Sequence, residues 1–190
     1  MDKIIQWKDE NAVVDACAVL ENGGVIVYPT DTLYGFGCDA KNESAIDTIN
    51  TIKGRISPMS VLAPDEGTAL SWMNLNEAQK QSCQKKLGGQ TTIIVPVKSN
   101  IVSDKIMGHG HTLGIRIPNH SFCSALSSRY INPITTTSVN RTGFPAMTNP
   151  SEIESEFKDE IDLIIDAGII HGTGSTIYLF ENGELTILRQ

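Results

Sequence analysis

The segment Gly24-Val25-Ile26-Val27-Tyr28-Pro29-Thr30-Asp31-Thr32-Leu33-Tyr34-Gly35-Phe36-Gly37 sets the tightest limits on what this chain can fold into. Val25 to Tyr28 is a run of β-branched and aromatic residues, the composition of a short buried strand. Pro29 has no N–H to give to a ladder and ends it. The next residues are polar. Thr30, Asp31, Thr32 and Tyr34 place hydroxyls and a carboxylate just past the strand's C-terminal end, where open α/β sheets bind their ligands. Pro, Thr and Asp are also ordinary turn residues, so the segment alone fits a plain turn equally well.

Helical and strand patterns alternate around this segment. A helix is expected from Asp9, as its cap, to about Glu21, with Val13, Ala16, Cys17 and Leu20 on one face and Gly23 as the stop. A second starts at Asn42 or Ser44, buries Ala45, Ile46, Ile49 and Ile52, and ends at Gly54. Ser60 to Ala63 reads as a strand, residues 65–87 as two short helices broken near Asn74, and Thr91 to Val97 as a strand. Residues 98–112 read as an irregular surface loop. Leu113 to Ile117 alternates as a strand closed by Pro118, a helix covers 120–130, and Ile134 to Thr137 is a strand that opens into the polar loop Ser138 to Gly143. Asn149-Pro150 with Ser151 and Glu154 predicts a capped helix ending near Phe157. Asp162 to Asp166 is a strand, and Ser175 to Phe180 pairs with Glu184 to Arg189 through a tight Asn182-Gly183 turn. Strands joined by both helices and a hairpin imply an α/β fold with a mixed parallel and antiparallel sheet and flanking helices. No repeat or linker interrupts the pattern, so a single domain over residues 1–190 is expected.

The charge of the chain narrows its ligands. A formal net charge of −7 over 190 residues argues against a broad basic face for nucleic acid, so any anion must be held by a few local cations. No apolar stretch approaches the ~20 residues of a membrane span, and the first residues lack a hydrophobic signal region, so the expectation is a cytoplasmic protein with no membrane partner. Cys17, Cys38, Cys83 and Cys123 are widely spaced among apolar neighbours and read as reduced packing thiols. His109 and His111 lack a third ligand nearby and read as part of a flexible loop rather than a metal site.

Polar stations recur beside the expected strand ends: Thr30 to Tyr34, Lys53 to Ser60, Arg116, Ser138 to Asn140, and Ser175-Thr176 with Arg189. Arginine clasps carboxylates and lysine sits against phosphates, so the set suits a nucleotide together with an amino acid. Neither a GxxxxGK[ST] loop nor a GxGxxG turn is present, which excludes the usual nucleotide folds. Each station has a plainer reading. Lys53 and Arg55 also suit a helix C-terminus, and Ser138 and Asn140 also suit a turn. Arg116 in an apolar strand implies either a bound anion or an ion pair.

In this order, Gly24 to Gly37, Lys53-Gly54-Arg55, Leu113-Gly114-Ile115-Arg116-Ile117-Pro118, Thr137-Ser138-Val139-Asn140 with Thr142-Gly143, and Ser175-Thr176-Ile177 resemble the signature segments of the YrdC-like threonylcarbamoyl-adenylate synthases. The resemblance runs from about residue 10 to residue 190 and is to the short form without a further C-terminal domain. It implies a twisted open sheet with a concave cavity and the conversion of L-threonine, bicarbonate and ATP into threonylcarbamoyl-AMP and pyrophosphate. A transferase complex would then use the product to modify tRNA, with at most weak tRNA binding by this chain. Carried over by position, Thr30, Ser60, Arg116, Thr136 and Ser175 would hold threonine. Lys53, Arg55, Thr112, Ser138, Asn140 and Arg189 would hold ATP, with Lys53 and Arg55 as the catalytic cations. Mg²⁺ would accompany the ATP phosphates, since no dedicated carboxylate cage for a metal is evident.

The chain departs from the pattern in three places. Ile56-Ser57 leads directly to Pro58-Met59-Ser60, a shorter loop that leaves out a phosphate-facing lysine; Gly88-Gly89-Gln90 replaces the usual Pro-Gly-Pro; and Ala146 stands where a hydroxyl residue is common. The shortened loop motivates an alternative, an RNA- or nucleotide-binding relative without synthase activity. A third reading is a related carbamoyl-transfer enzyme with another acceptor.

Overall fold

The computed structural model describes residues 3–190. The stretch Val25 to Gly37 is a hairpin rather than a strand feeding a loop. Its strands are β2 (Ile26–Pro29) and β3 (Tyr34–Gly37), which pair antiparallel, with the polar residues 30–33 forming only the turn. Alternation sorts the side chains of this hairpin. Val25, Val27 and Phe36 enter one apolar cluster, while Ile26 and Tyr28 enter the other. The glycines of Gly35-Phe36-Gly37 make room for the Tyr28 ring, since a Cβ on Gly37 would sit 2.6 Å from Tyr28 Cε1.

The remaining elements follow in chain order. β1 (Ile4–Gln6) precedes α1 (Ala12–Glu21), and α2 (Glu43–Lys53) follows the hairpin. Then come β4 (Ser60–Leu62), α3 (Glu66–Trp72), α4 (Glu77–Gln84), β5 (Thr91–Pro96), β6 (Thr112–Arg116), α5 (Ser121–Arg129) and β7 (Ile134–Ser138). The chain closes with α6 (Pro150–Phe157), β8 (Leu163–Asp166), β9 (Thr176–Glu181) and β10 (Glu184–Arg189). Among the described residues, ten strands join one mixed open sheet in the order β1-β8-β2-β3-β7-β4-β6-β5-β9-β10.

Local chemistry explains most boundaries. Asn42 accepts from the Ala45 N–H at the start of α2, and Gly54 ends that helix at φ +65°. The Asn182-Gly183 turn has positive φ at both residues, as its tight hairpin geometry requires. Other expectations shift. α1 begins at Ala12 rather than beside Asp9, whose carboxylate instead accepts from the Asn11 N–H. Asn149 caps α6 through the Ser151 N–H without a box to Glu154; the capping box of this chain is Asn76 with Gln79 in α4. Residues 98–112 are not a wholly superficial loop. They contain a 3₁₀ turn at Asp104–Ile106, and Val102 and Ile106 are buried in the core. β1, absent from the sequence reading, pairs parallel with β8. All four cysteines are buried free thiols, and no helix among the described residues is long and apolar enough to cross a membrane.

The two faces of the sheet are used differently. α2 and α6 help bury one side through Ile46, Ile49, Ile153 and Phe157. On the other, α1 and α5 cover Ile26, Tyr28, Leu62, Ile134 and Leu163. Ser60 shares a face with Leu62, and Thr136 with Ile134, because side chains alternate along each strand. One face of the sheet therefore passes from an apolar region beneath helices to a hydroxyl-rich region. Register brings Ser60 opposite Thr136 on one side and Gly114 on the other. A Cβ on Gly114 would lie 3.0 Å from Ser60 Cβ and 3.3 Å from its Cα. Replacing Gly114 with Ala is expected to cost roughly 1–3 kcal/mol by overpacking. In thermal unfolding this should lower the Tm by several degrees, and an unchanged Tm would contradict the close approach.

Candidate active site

A cavity of about 400 Å³ opens over this hydroxyl-rich face. Its floor comes from β3, β4, β6 and β7, and its walls come from the 30–33 turn, the residues after α2, and the 174–177 and 189–190 segments. The lining includes Thr30, Ser60, Arg116, Thr136 and Ser175, every residue the sequence offered for an amino acid, and also Arg55, Ser138 and Arg189. Among the described residues, no Asp or Glu lines it. In a chain of net charge −7 this is an electropositive hollow, built for an anion.

Arg116 resolves the choice between anion and ion pair in favour of an internal partner. Its Nη2 donates to Asp31 Oδ1 at 2.5 Å and to Thr32 Oγ1 at 2.7 Å, with both charged side chains largely buried. Asp31 Oδ2 accepts from the Asn119 N–H at 2.9 Å, and the Asp31 carbonyl accepts from Gln90 Nε2 at 3.1 Å. The guanidinium is still incompletely satisfied. Nε is buried without a hydrogen-bond partner, an arrangement that costs free energy.

The 30–33 turn is rigidly tied. Thr30 Oγ1 lies 2.7 Å from the Leu33 carbonyl oxygen and 3.1 Å from Thr32 Oγ1. Opposite, Thr92 and Ser175 share a buried hydroxyl–hydroxyl bond of 2.8 Å, and Arg189 Nη2 donates to the Ser175 carbonyl at 3.0 Å. Gly172 is the one residue type that fits beside the turn, because a Cβ there would overlap the Thr32 carbonyl. The Tyr34 hydroxyl donates to the Gly168 carbonyl and accepts from the Ala167 N–H, both at 2.8 Å, which anchors the start of the same glycine-rich loop.

Three candidate residues fall outside the cavity lining: Lys53, Asn140 and Thr112. Lys53 is buried, and its ammonium donates to the Ser138 carbonyl at 2.6 Å, the Asn140 carbonyl at 3.1 Å and Asn140 Oδ1 at 2.9 Å. Asn140 Oδ1 also accepts from Ser138 Oγ at 2.7 Å. Lys53 and Asn140 thus hold the loop that presents Ser138. Burial, with the like charge of Arg55, lowers the Lys53 ammonium to about 8. Thr112 Oγ1 is turned to the His109 carbonyl at 3.0 Å. Arg55, by contrast, is exposed and forms no ion pair among the described residues.

Thr92 is a neighbour of the site that the sequence did not offer. Asp31 and Thr32, offered there as ligand-facing groups of the opening motif, are instead the partners of Arg116. Thr92 becomes visible only through register, as the cross-strand partner of Arg116.

The family model for the Sua5/YciO/YrdC domain, described as "Telomere recombination", matches residues 18–190. A protein of Methanocaldococcus jannaschii provisionally named threonylcarbamoyl-AMP synthase is 33% identical over 172 residues, covering 89% of this chain and 80% of that protein. The threonylcarbamoyl-AMP synthase of Photobacterium profundum is 27% identical over 178 residues, 91% of this chain and 95% of that protein. Among solved structures, P. abyssi Sua5 complexed with L-threonine superposes with a TM-score of 0.83 at 26% identity, over 93% of this chain and 53% of that longer one. The match across nearly the whole chain, on a fold with the same mixed sheet, makes this chain a member of the Sua5/YciO/YrdC domain family.

Proposed function

We propose that this protein is an L-threonylcarbamoyladenylate synthase, a nucleotidyltransferase that makes threonylcarbamoyl-AMP and pyrophosphate from L-threonine, bicarbonate and ATP. The observation that carries the reading is a cavity lined by no Asp or Glu among the described residues, in which a buried, incompletely satisfied Arg116 sits among hydroxyls together with two exposed arginines, Arg55 and Arg189. One cation suits the amino-acid carboxylate and the others suit phosphates. The names of the family relatives and the threonine-bound Sua5 support the same substrates.

In this reading Arg116 receives the threonine carboxylate while Thr30, Ser60, Thr136 and Ser175 hydrogen-bond the amino acid. The threonine amine takes up carbon dioxide from bicarbonate to give a carbamate. A carbamate oxygen then attacks the α-phosphorus in line, the bond to the bridging oxygen breaks, and pyrophosphate leaves with that electron pair. Positioning and charge neutralisation dominate such a step. Arg55 and Arg189 neutralise the phosphates, Ser138 contacts the nucleotide, and Lys53 with Asn140 fixes Ser138 in place. Mg²⁺ would accompany ATP and help neutralise its phosphates; among the described residues no Asp or Glu of the cavity lining is there to hold it. The product passes to a threonylcarbamoyl-transferase complex that modifies tRNA, and the setting is the cytoplasm, with the chain acting as a single domain. The shortened loop after Arg55, with Ile56 exposed, favours a second reading in which the chain binds nucleotide or RNA without synthesis.

Four outcomes test the proposal. Purified protein should release pyrophosphate from ATP only when L-threonine and bicarbonate are both present; nucleotide binding with no release would support the second reading. Arg116→Ala should raise the threonine KM at least about 30-fold, since truncating one side of a buried charge pair costs ~2–5 kcal/mol; an unchanged KM would remove Arg116 from the site. Lys53→Met should raise the ATP KM and leave the threonine KM nearly as it was. Because the Lys53 ammonium carries its charge only below about 8, the wild-type ATP KM should climb as pH passes that value. In Lys53→Met the same profile should be flat.

A further inference from the structure

We infer that Asp31 determines which anion each cation of the cavity takes: it holds Arg116 for a small carboxylate and keeps phosphates from it. The inference rests on the proposed function, because it takes the cavity to hold an amino acid beside a polyphosphate.

Asp31 does not line the cavity, while the arginine it grips does. Its carboxylate reaches Arg116 Nη2 at 2.5 Å, next to Thr32 Oγ1 at 2.7 Å, so both N–H groups of that nitrogen are engaged. The Asn119 N–H at 2.9 Å fixes the other Asp31 oxygen, and Gln90 Nε2 holds the Asp31 backbone. The donor left to a ligand is Nη1, which makes no hydrogen bond among the described residues; Nε is buried and unpartnered. The guanidinium is therefore held at one end and presents unsatisfied N–H groups elsewhere.

The charge count separates it from the other two arginines. Arg116 and Asp31 form a pair of net charge zero in a largely buried setting, whereas Arg55 and Arg189 form no ion pair among the described residues. A polyanion gains most from unpaired cations and would meet the Asp31 charge at close range beside Arg116. A single carboxylate needs only fixed donors, which this pair supplies. Asp31 thus disfavours the wrong ligand as well as orienting the right one.

The test is calorimetric titration of the full chain with L-threonine, with inorganic tripolyphosphate as the phosphate probe. In the wild type, saturating tripolyphosphate should leave threonine affinity within about twofold. Asp31→Asn should weaken threonine at least tenfold and make tripolyphosphate compete with it, and Asp31→Glu should restore both properties. Thr32→Val, which removes the other Nη2 partner but keeps the charge, should weaken threonine without admitting tripolyphosphate; it keeps the inference testable if Asp31→Asn does not fold. Competition in the wild type, no competition in a folded Asp31→Asn, or competition in Thr32→Val would overturn it. Wild-type threonine binding with the expected selectivity but no pyrophosphate release from ATP would instead count against the synthase reading alone.

Discussion

A guanidinium buried on a β-sheet face is the constraint around which the rest of this structure is arranged. Arg116 lies in an otherwise apolar strand, between Leu62 of β4 and Thr92 of β5 in register. An unpaired buried charge there would be prohibitive, and a paired, hydrogen-bonded one is tolerable. Asp31 supplies the pairing from the hairpin turn, and Thr32 beside it supplies the second acceptor. The position of the turn is thus set by Arg116 as much as by Pro29.

The sheet makes the space by changing composition along one face. Under α1 and α5 the face is apolar, through Ile26, Leu62 and Ile134. Beyond them serine, threonine and glycine take over, which removes bulk and leaves hydroxyls, and Gly114 lets Ser60 approach the neighbouring strand. The hollow is therefore a product of register. Ser60, Thr136 and Gly114 are adjacent only because β4 lies between β7 and β6, a placement that chain order does not reveal.

Much of the fold was legible in the sequence. The Asn42 cap, the Gly54 stop, the Asn182-Gly183 hairpin and the alternation of strands and helices rest on local chemistry, and they stand where local chemistry put them. The opening motif was legible in its ingredients but not in its shape. The residues after Pro29 read as a polar loop, whereas Gly35 and Gly37 belong to a strand and admit the Tyr28 ring. The site divides in the same way. Candidate residues at or beside strand ends, such as Thr30, Ser60 and Ser175, were visible as polar positions bordering apolar patterns. Residues that act through a distant partner were not: nothing near Lys53 in sequence indicates that its amine is turned to the loop at Ser138 and Asn140, and nothing near Thr92 points to Arg116 or Ser175.

The account divides the cavity into a carboxylate end at Arg116 and a phosphate end at Arg55 and Arg189. A crystal structure with L-threonine and a non-hydrolysable ATP analogue bound together tests that division most directly. The threonine carboxylate is expected on Arg116 Nη1 with the Asp31 contact intact, and the triphosphate against Arg55 and Arg189. A triphosphate seated on Arg116, or a threonine carboxylate held by Arg55, would contradict it.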